Sequence, residues 1–251
     1  MFRAQTKTDI PALQQYETLV DVERARFERE STLATLILDP GIDPETLELF
    51  LVYYHALGYK MIEPVEGWMR RGGERCKELG LEEIGQGLCR HATQESGHHL
   101  LMLADARALA ARWNARRQQI DVETIISQLS PGGCHLKSLP AQIAESDQPY
   151  RLMSVNYEIE RMAVVYGERM LEQFSRVLGE DIRPCLSFLE EHVVVDIGHT
   201  AHNRLELAKV LAIYPECLDL LVKDGADSMF RYDGFLTECL GLARAQLAQW
   251  S

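Results

Sequence analysis

A short segment around residue 195 carries the sharpest chemical signal in this sequence. It contains His192, Asp196 and His199 in the pattern His-x-x-x-Asp-x-x-His. Because an α-helix turns about 100° per residue, Asp196 lies about 40° to one side of His192 and His199 about 20° to the other. Three side chains that can bind a metal therefore share one helical face. The neighbouring Val193–Val195 and Ile197 predict an apolar, buried environment, in which an aspartate needs a partner or a metal.

A second group of candidates lies on a helix predicted over about residues 81–117. Glu95 and His98 form a Glu-x-x-His pair, an arrangement that di-iron helical bundles use on one helical face. His91 lies one turn before Glu95 and His99 one turn after it, so either could substitute or support. The His98-His99 doublet leaves the choice between these two histidines open, and a Glu-x-x-His pair taken alone often occurs by chance.

A third helix, predicted over about residues 149–178, should add an acid. Glu158 and Glu160 compete for this role, and they differ by about 200° around a helix, so they cannot both face one centre. Glu160 is favoured because it flanks an apolar pair of residues, whereas Glu158 could pair with Arg161 at the surface.

Three carboxylates and three imidazoles would then meet, and their chemistry suits Fe(II) or Mn(II) with open positions for dioxygen. Bridging carboxylates can hold two such ions a few ångströms apart. A thiolate zinc site does not fit, because the cysteines are scattered. A hydrogen-bonded His–Asp–His ladder without metal is the alternative, and a hydrolytic two-metal centre remains chemically open. The candidate metal ligands are Glu95, His98, Glu160, His192, Asp196 and His199.

The elements that must position these residues are helices. Only 9 prolines and 17 glycines interrupt stretches rich in Leu, Ala, Glu, Arg and Gln, which are strong helix formers. We predict an all-α, single-domain bundle of about seven helices over residues 1–251, with 1–11 as a frayed N-terminal lead-in. The predicted helices cover about residues 11–38, 44–79 with a kink at Pro64, 81–117, 149–178, 182–213 and 215–250 with a break at Asp224–Gly225, and short helical turns occupy 118–148.

Composition narrows the function classes. The chain has a net charge of −12 from 38 acidic and 26 basic residues, and nucleic-acid binding would need a concentrated basic patch. The 6 cysteines show neither zinc-knuckle nor redox-dithiol spacing. The N-terminus shows no signal pattern and no apolar run approaches a membrane span. We therefore expect a cytoplasmic protein with no nucleic-acid or membrane partner.

The ligand pattern resembles that of the haem-oxygenase-like di-metal oxidases and oxygenases, non-haem iron enzymes related to the TENA/PqqC-type helical fold. In that family an early Glu and His precede a mid-chain Glu and then His-x-x-x-Asp-x-x-His, and the six residues above match in order and separation. The resemblance covers nearly the whole chain, although only the last motif is specific. It implies a seven-helix bundle, two Fe(II) ions with Mn(II) as the alternative, and O₂ as co-substrate. The small organic substrate would be a fatty acid, an amino acid or an amine.

Relatives on the same fold supply the alternatives. A haem oxygenase would need an early proximal histidine, for which His55 falls late in the sequence. A thiaminase-like enzyme would need a nucleophilic cysteine near acids, and none of the six is so placed. A quinone-cofactor-synthase-like enzyme would not require the carboxylates, and a metal-free binding protein would have packed, hydrogen-bonded histidines.

The substrate is expected to enter between the helices. Arg161 or Lys60 would pair with a substrate carboxylate. The oligomeric state stays open, with a homodimer the common outcome for soluble bundles of this size. The expected pocket residues are Tyr53, Tyr54, Tyr157 or Tyr166 and Met153 or Met162.

Overall fold

The computed structural model describes residues 11–250, which form ten α-helices and no β-strand. Three 3₁₀ turns and one π-helical turn, Leu33–Ile37, lie between them. The helices are α1 (Pro11–Glu30), α2 (Pro44–Ile62), α3 (Val65–Glu78), α4 (Glu82–Gln94), α5 (His98–Asn114), α6 (Val122–Ser127), α7 (Pro131–Glu145), α8 (Leu152–Leu178), α9 (Ser187–Ile213) and α10 (Leu218–Trp250).

The all-α prediction is confirmed, but the predicted number of about seven helices is wrong. Pro64 divides one predicted helix into α2 and α3, because proline lacks a backbone N–H and restricts the residue before it. A corner at Gly97 divides another into α4 and α5. Residues 118–148 hold two helices, α6 and α7. The side chain of Ser130, the residue before α7, caps the N-terminus of that helix.

The break predicted at Asp224–Gly225 is also wrong, since α10 runs through it without interruption. A Cβ atom at position 225 would lie 2.7 Å from the Tyr16 hydroxyl oxygen and 2.8 Å from Cγ of Glu158. Gly225 therefore serves the close approach of α10 to α1 and α8, and does not mark the end of a helix.

The core is built around α8 and α2. α8 packs against α9 and α10, and α2 packs against α5 and α10. α2 is buried along most of its length, including Phe50 and Tyr54. Each such apolar side chain contributes about 1.5–3 kcal/mol by leaving water. The largest fully buried side chains are Tyr16, Phe27, Phe50, Tyr54, Trp113, Phe174 and Phe235.

Two further sequence predictions concern the ends and the surroundings of the chain. The lead-in predicted for residues 1–11 lies outside the described residues except for Pro11, which begins α1. Within residues 11–250, none of the helices combines the length and the apolar character that crossing a bilayer requires.

Candidate metal centre

The candidate ligands come from four helices, with α9 packed against α8, α5 and α4. Glu95 caps the C-terminus of α4 and His98 is the first residue of α5. Gly97 lies between them with φ = +90°, a left-handed conformation that glycine adopts without strain. Glu95 and His98 therefore flank a corner, and the prediction that they share one face of a continuous helix is wrong. The corner nevertheless brings Nδ1 of His98 to 2.9 Å from Oε2 of Glu95.

One group of ligand atoms gathers on the other side of the Glu95 carboxylate. Oε1 of Glu95 lies 3.4 Å from Nδ1 of His199 and 3.5 Å from Nε2 of His91. Nε2 of His91 also lies 2.6 Å from Oε1 of Glu160. These four residues, all buried, offer ligand atoms within 4.8 Å of one another, close enough to share one ion.

A second group consists of Glu95, His98 and His192, again with ligand atoms within 4.8 Å of one another. The rings of His98 and His192 meet edge to face with centroids 4.8 Å apart. Nδ1 of His192 lies 2.7 Å from the Phe188 carbonyl oxygen, to which it donates. This bond fixes the ring and leaves Nε2 free to bind an ion. Glu95 thus belongs to both groups, one oxygen facing each.

Asp196 completes the acidic set at the boundary between the two groups. Its Oδ1 atom lies 3.2 Å from Nδ1 of His199, and the residue is only 1% exposed. Glu160 is held from behind by Asn203, which donates to its Oε2 atom and leaves Oε1 facing His91. All six sequence-predicted ligands therefore lie in one neighbourhood.

Hydrogen bonding in this neighbourhood is incomplete. Nε2 of His91, Oδ1 of Asp196 and Nδ1 of His199 have no hydrogen-bond partner although an acid or an imidazole lies within 3.5 Å of each, and Nδ1 of His91 has no partner either. Buried polar atoms are nearly always paired in folded proteins, so each exception needs an explanation. A shared cation would give these atoms a partner, and the residues fit one or two divalent ions.

The pKa shifts of these groups also favour a bound cation. Burial raises the pKa of Glu160 to about 7, although His91 opposes that change. Burial acts to lower the pKa of His91, but the Glu160 and Glu95 carboxylates outweigh it and raise that pKa to about 10. Burial also acts to raise the pKa of Glu95, yet His91 and His98 hold it well below its usual range. Positive charge is thus favoured among these acids, and a metal ion would replace the protons.

His91 is the residue that the sequence-based ligand set omitted. The sequence carries a signal for it, because His91 precedes Glu95 by one helical turn and can support it. Asn203 was missed altogether, although it follows His199 by one turn on α9. His98 contacts Glu95, whereas the His99 ring packs beside Tyr59 with centroids 5.7 Å apart.

Two expectations about the surroundings are wrong. The apolar run on α9 is not enclosed, since Val194 is 71% exposed and Ile197 is 63% exposed. Only one side of that helix faces the interior. Glu158 does not pair with Arg161 at the surface; it is fully buried and bound by Arg24.

A cavity of about 160 Å³ adjoins the ligands, and Glu95, Glu160, His192 and Asp196 form part of its wall. Of the expected pocket residues, Tyr54, Tyr166 and Met162 line it. Tyr53 and Tyr157 do not; their hydroxyls bind Gln246 and Glu17 instead, and Met153 is also absent from the wall. The rest of the wall is mainly apolar, with contributions from Met61, Trp68, Met69, Met170 and Phe188.

A side-chain amide nitrogen on this wall also has no hydrogen-bond partner. Nδ2 of Asn156 makes no hydrogen bond, and the residue is 5% exposed. Asn156 precedes Glu160 by one helical turn, a rise of about 6 Å. The cavity therefore offers a hydrogen-bonding group to a ligand beside the metal-binding acids.

Solved structures identify the architecture as the haem-oxygenase-like fold, which confirms the predicted fold. A domain of unknown function with a heme oxygenase-like fold from Shewanella denitrificans OS217 is 19% identical, with a TM-score of 0.75 over 94% of each chain. A TenA homolog from Pseudomonas syringae pv. tomato DC3000 is 15% identical, with a TM-score of 0.66 over 96% of this chain and 99% of the homolog. A CADD-like protein of unknown function from Nostoc punctiforme PCC 73102 is 13% identical, with a TM-score of 0.61 over 92% of this chain and 99% of the other.

At these identities the similarity defines the fold alone. No protein-family model matches the chain, and no curated protein matches it.

Proposed function

We propose that this chain is a non-haem di-iron oxidase or oxygenase that uses O₂ to oxidise a small organic substrate in the cavity. The observation that carries the proposal is the position of Glu95, whose two oxygens face two separate groups of ligand atoms. A carboxylate in that position suits a bridge between two ions. Glu160, His91 and His199 would hold one ion, and His98 and His192 the other, with Asp196 beside both.

Two Fe(II) ions bound there would supply the electrons for O₂ reduction and the oxidising power applied to the substrate. The protein's own contribution is positioning and exclusion of water. His192 and Glu160 are held in place by Phe188 and Asn203. The apolar wall, with Trp68 and Met69, excludes water from the reacting region, and Asn156 adds a hydrogen-bond donor inside the cavity.

An anaerobic Fe(II) titration of the chelator-treated protein, followed by mixing with O₂ in a stopped-flow spectrometer, tests the proposal. We expect about two equivalents of Fe(II) and a transient visible absorption band. His98→Ala should lower the stoichiometry and remove the band. His99→Ala is the matched control, and should leave both unchanged, since His99 lies against Tyr59. Absence of stoichiometric binding in the parent protein would overturn the proposal.

The second candidate is a metal-free enzyme or binding protein on the same fold, which the cavity and the similarity to the TenA homolog favour. A thiaminase-like activity would place a cysteine nucleophile on the cavity wall. Among the described residues that line the cavity there is no cysteine. His55, the haem-oxygenase alternative, is fully buried with Nδ1 2.8 Å from the Leu51 carbonyl oxygen, and it does not line the cavity.

A further inference from the structure

A second, more polar hollow adjoins the cavity. Met61 and Lys137 line both spaces, so the two meet at these side chains. Lys60 also lines the hollow and is exposed, whereas Lys137 is half-buried. The hollow is further lined by Leu57, Ser127, Gln128, Leu129, Ser130 and Cys134.

Both lysines lack an acidic partner among the described residues. By contrast, Lys77 lies 2.9 Å from Glu74, and Lys209 lies 3.0 Å from Glu206. Glu238 reaches this wall, but it accepts hydrogen bonds from Ser130 Oγ and from the backbone N–H of Gly132. In a chain with a net charge of −12, two neighbouring unpaired lysines form a local positive site.

Lys137 is also the only lysine or arginine among the described residues that line the cavity. It comes from α7, which packs chiefly against α10 and α3, whereas the candidate metal ligands come from α4, α5, α8 and α9. A lysine can lay its apolar stem along such a wall and keep its ammonium group at the wetter end. The wall thus carries three acids and one imidazole of the candidate ligand set and, from a different helix, a single lysine.

We infer that the cavity binds an amphipathic organic anion whose anionic group is held by Lys137 and Lys60 in the hollow. Its apolar part fills the cavity and points towards the metal-binding residues. This ligand would be the substrate of the proposed oxidase. Its oxidation therefore rests on the proposed function, but its binding does not. It favours an acid over an amine as the substrate, and it places the apolar end of the molecule, not its acid group, nearest the metals.

Octanoate, octan-1-ol and octylamine are suitable probes because they share one chain length and differ in charge. The full chain is titrated with each by calorimetry, anaerobically with Fe(II) and again with a chelator present. We expect octanoate to bind about tenfold more tightly than either other probe in both conditions, the gain expected of a charged hydrogen bond partly shielded from water. Equal affinities, preference for octylamine, or binding of none of the three would overturn the inference.

Substitutions of Lys137 and Lys60 test whether these lysines bind the anionic group. Lys137→Met should weaken octanoate binding about tenfold and leave octan-1-ol binding unchanged, while Lys137→Arg should retain most of the preference. Lys223→Met is the matched control, because Lys223 is an exposed lysine outside the hollow. An unchanged octanoate affinity in a folded Lys137→Met/Lys60→Met variant would contradict the assignment. Because the chelated arm needs no metal, failure of the di-iron proposal and failure of this inference give different results.

Discussion

Glu158 and Glu160 lie two residues apart on α8, and both are buried, yet they have opposite kinds of surroundings. Oε1 of Glu158 accepts hydrogen bonds from the Tyr16 hydroxyl at 3.0 Å and from Arg24 at 2.7 Å, and its Oε2 accepts from Arg24 at 2.9 Å. Arg24 and Glu158 form a two-pronged ion pair in which each carboxylate oxygen has a donor. This is a complete structural ion pair.

Glu160 lies among imidazoles and acids that leave atoms without partners. His91 approaches it to 2.6 Å, but neither ring nitrogen of His91 forms a hydrogen bond. Asp196 and His199 also have orphaned atoms nearby. Burial and residue type therefore do not separate a carboxylate in a complete ion pair from a candidate metal ligand. Both oxygens of Glu158 have donors, whereas Glu160 lies beside buried atoms that have no hydrogen-bond partner.

We expect the largest effect on stability from a change to the ion pair between Arg24 and Glu158. Arg24→Met leaves the Glu158 carboxylate buried without its cation, so the free energy of unfolding should fall by about 3–5 kcal/mol. Urea denaturation would measure it. Arg26→Met on the same helix is the control, since Arg26 pairs with Glu23 and Glu30 at the surface and its side chain is 51% exposed. That change should have a much smaller effect, because solvent screens the ion pairs of Arg26. A similar small cost for Arg24→Met would contradict the account.

We expect the next largest effect on Fe(II) binding, from a change to Glu160. Glu160→Gln keeps the size of the side chain but removes a charged ligand, while Glu158→Gln makes the same change in the structural pair. Outer-shell partners of metals are worth about 10–100-fold in affinity, so loss of a direct ligand should weaken Fe(II) binding by about a hundredfold or more. Glu158→Gln should lower stability and leave Fe(II) affinity unchanged. Equal losses of Fe(II) affinity in the two variants would remove the distinction.

His91 is the next residue to test as a metal ligand, because the sequence pattern did not select it. His91→Gln should weaken one of two Fe(II) equivalents by about tenfold and spare the other, which His98 and His192 would hold. Anaerobic titration with a competing chelator would resolve the two affinities. If both equivalents bind as in the parent protein, His91 is a packed histidine and not a ligand.

The smallest expected effect concerns the corner between Glu95 and His98. Gly97 and Gly80 both have a positive φ, and a Cβ atom at either position would meet nothing within 4 Å. Gly97→Ala and Gly80→Ala should each cost about 1–2 kcal/mol of stability. Only Gly97→Ala should also weaken Fe(II) binding, because it alters the corner that sets His98 against Glu95. Equal Fe(II) affinities in the two variants would show that the corner does not tune the site.

The sequence predicted the fold class and the neighbourhood of the site because both depend on local periodicity. The pattern from His192 to His199 needs only the geometry of one helix, and composition alone predicts an all-α chain. The corner at Gly97 was not predicted, since a single glycine within a helical pattern is compatible with either a continuous helix or a break. The choice of Glu160 over Glu158 was predicted from the apolar flank, but the true partner of Glu158 was not. Arg24 lies 134 residues away in the chain, beyond the reach of any local pattern.

The exposed side of α9 shows the same limit. Val194 and Ile197 predicted burial all round, but apolar residues on a helix do not say which of them face a neighbour. The acids and histidines predicted the buried side of α9 better than its apolar residues did. A chemical constraint on buried charge is more specific than a hydrophobic count.

The most direct test of the central claim is the position of bound iron. Crystals grown anaerobically with Fe(II) would be measured on both sides of the iron absorption edge, so that anomalous difference maps locate each ion. The account predicts two peaks about 3.5–4 Å apart, the usual spacing in two-metal sites, on either side of the Glu95 carboxylate. No peak at Glu95, or iron bound only elsewhere in the protein, would contradict it.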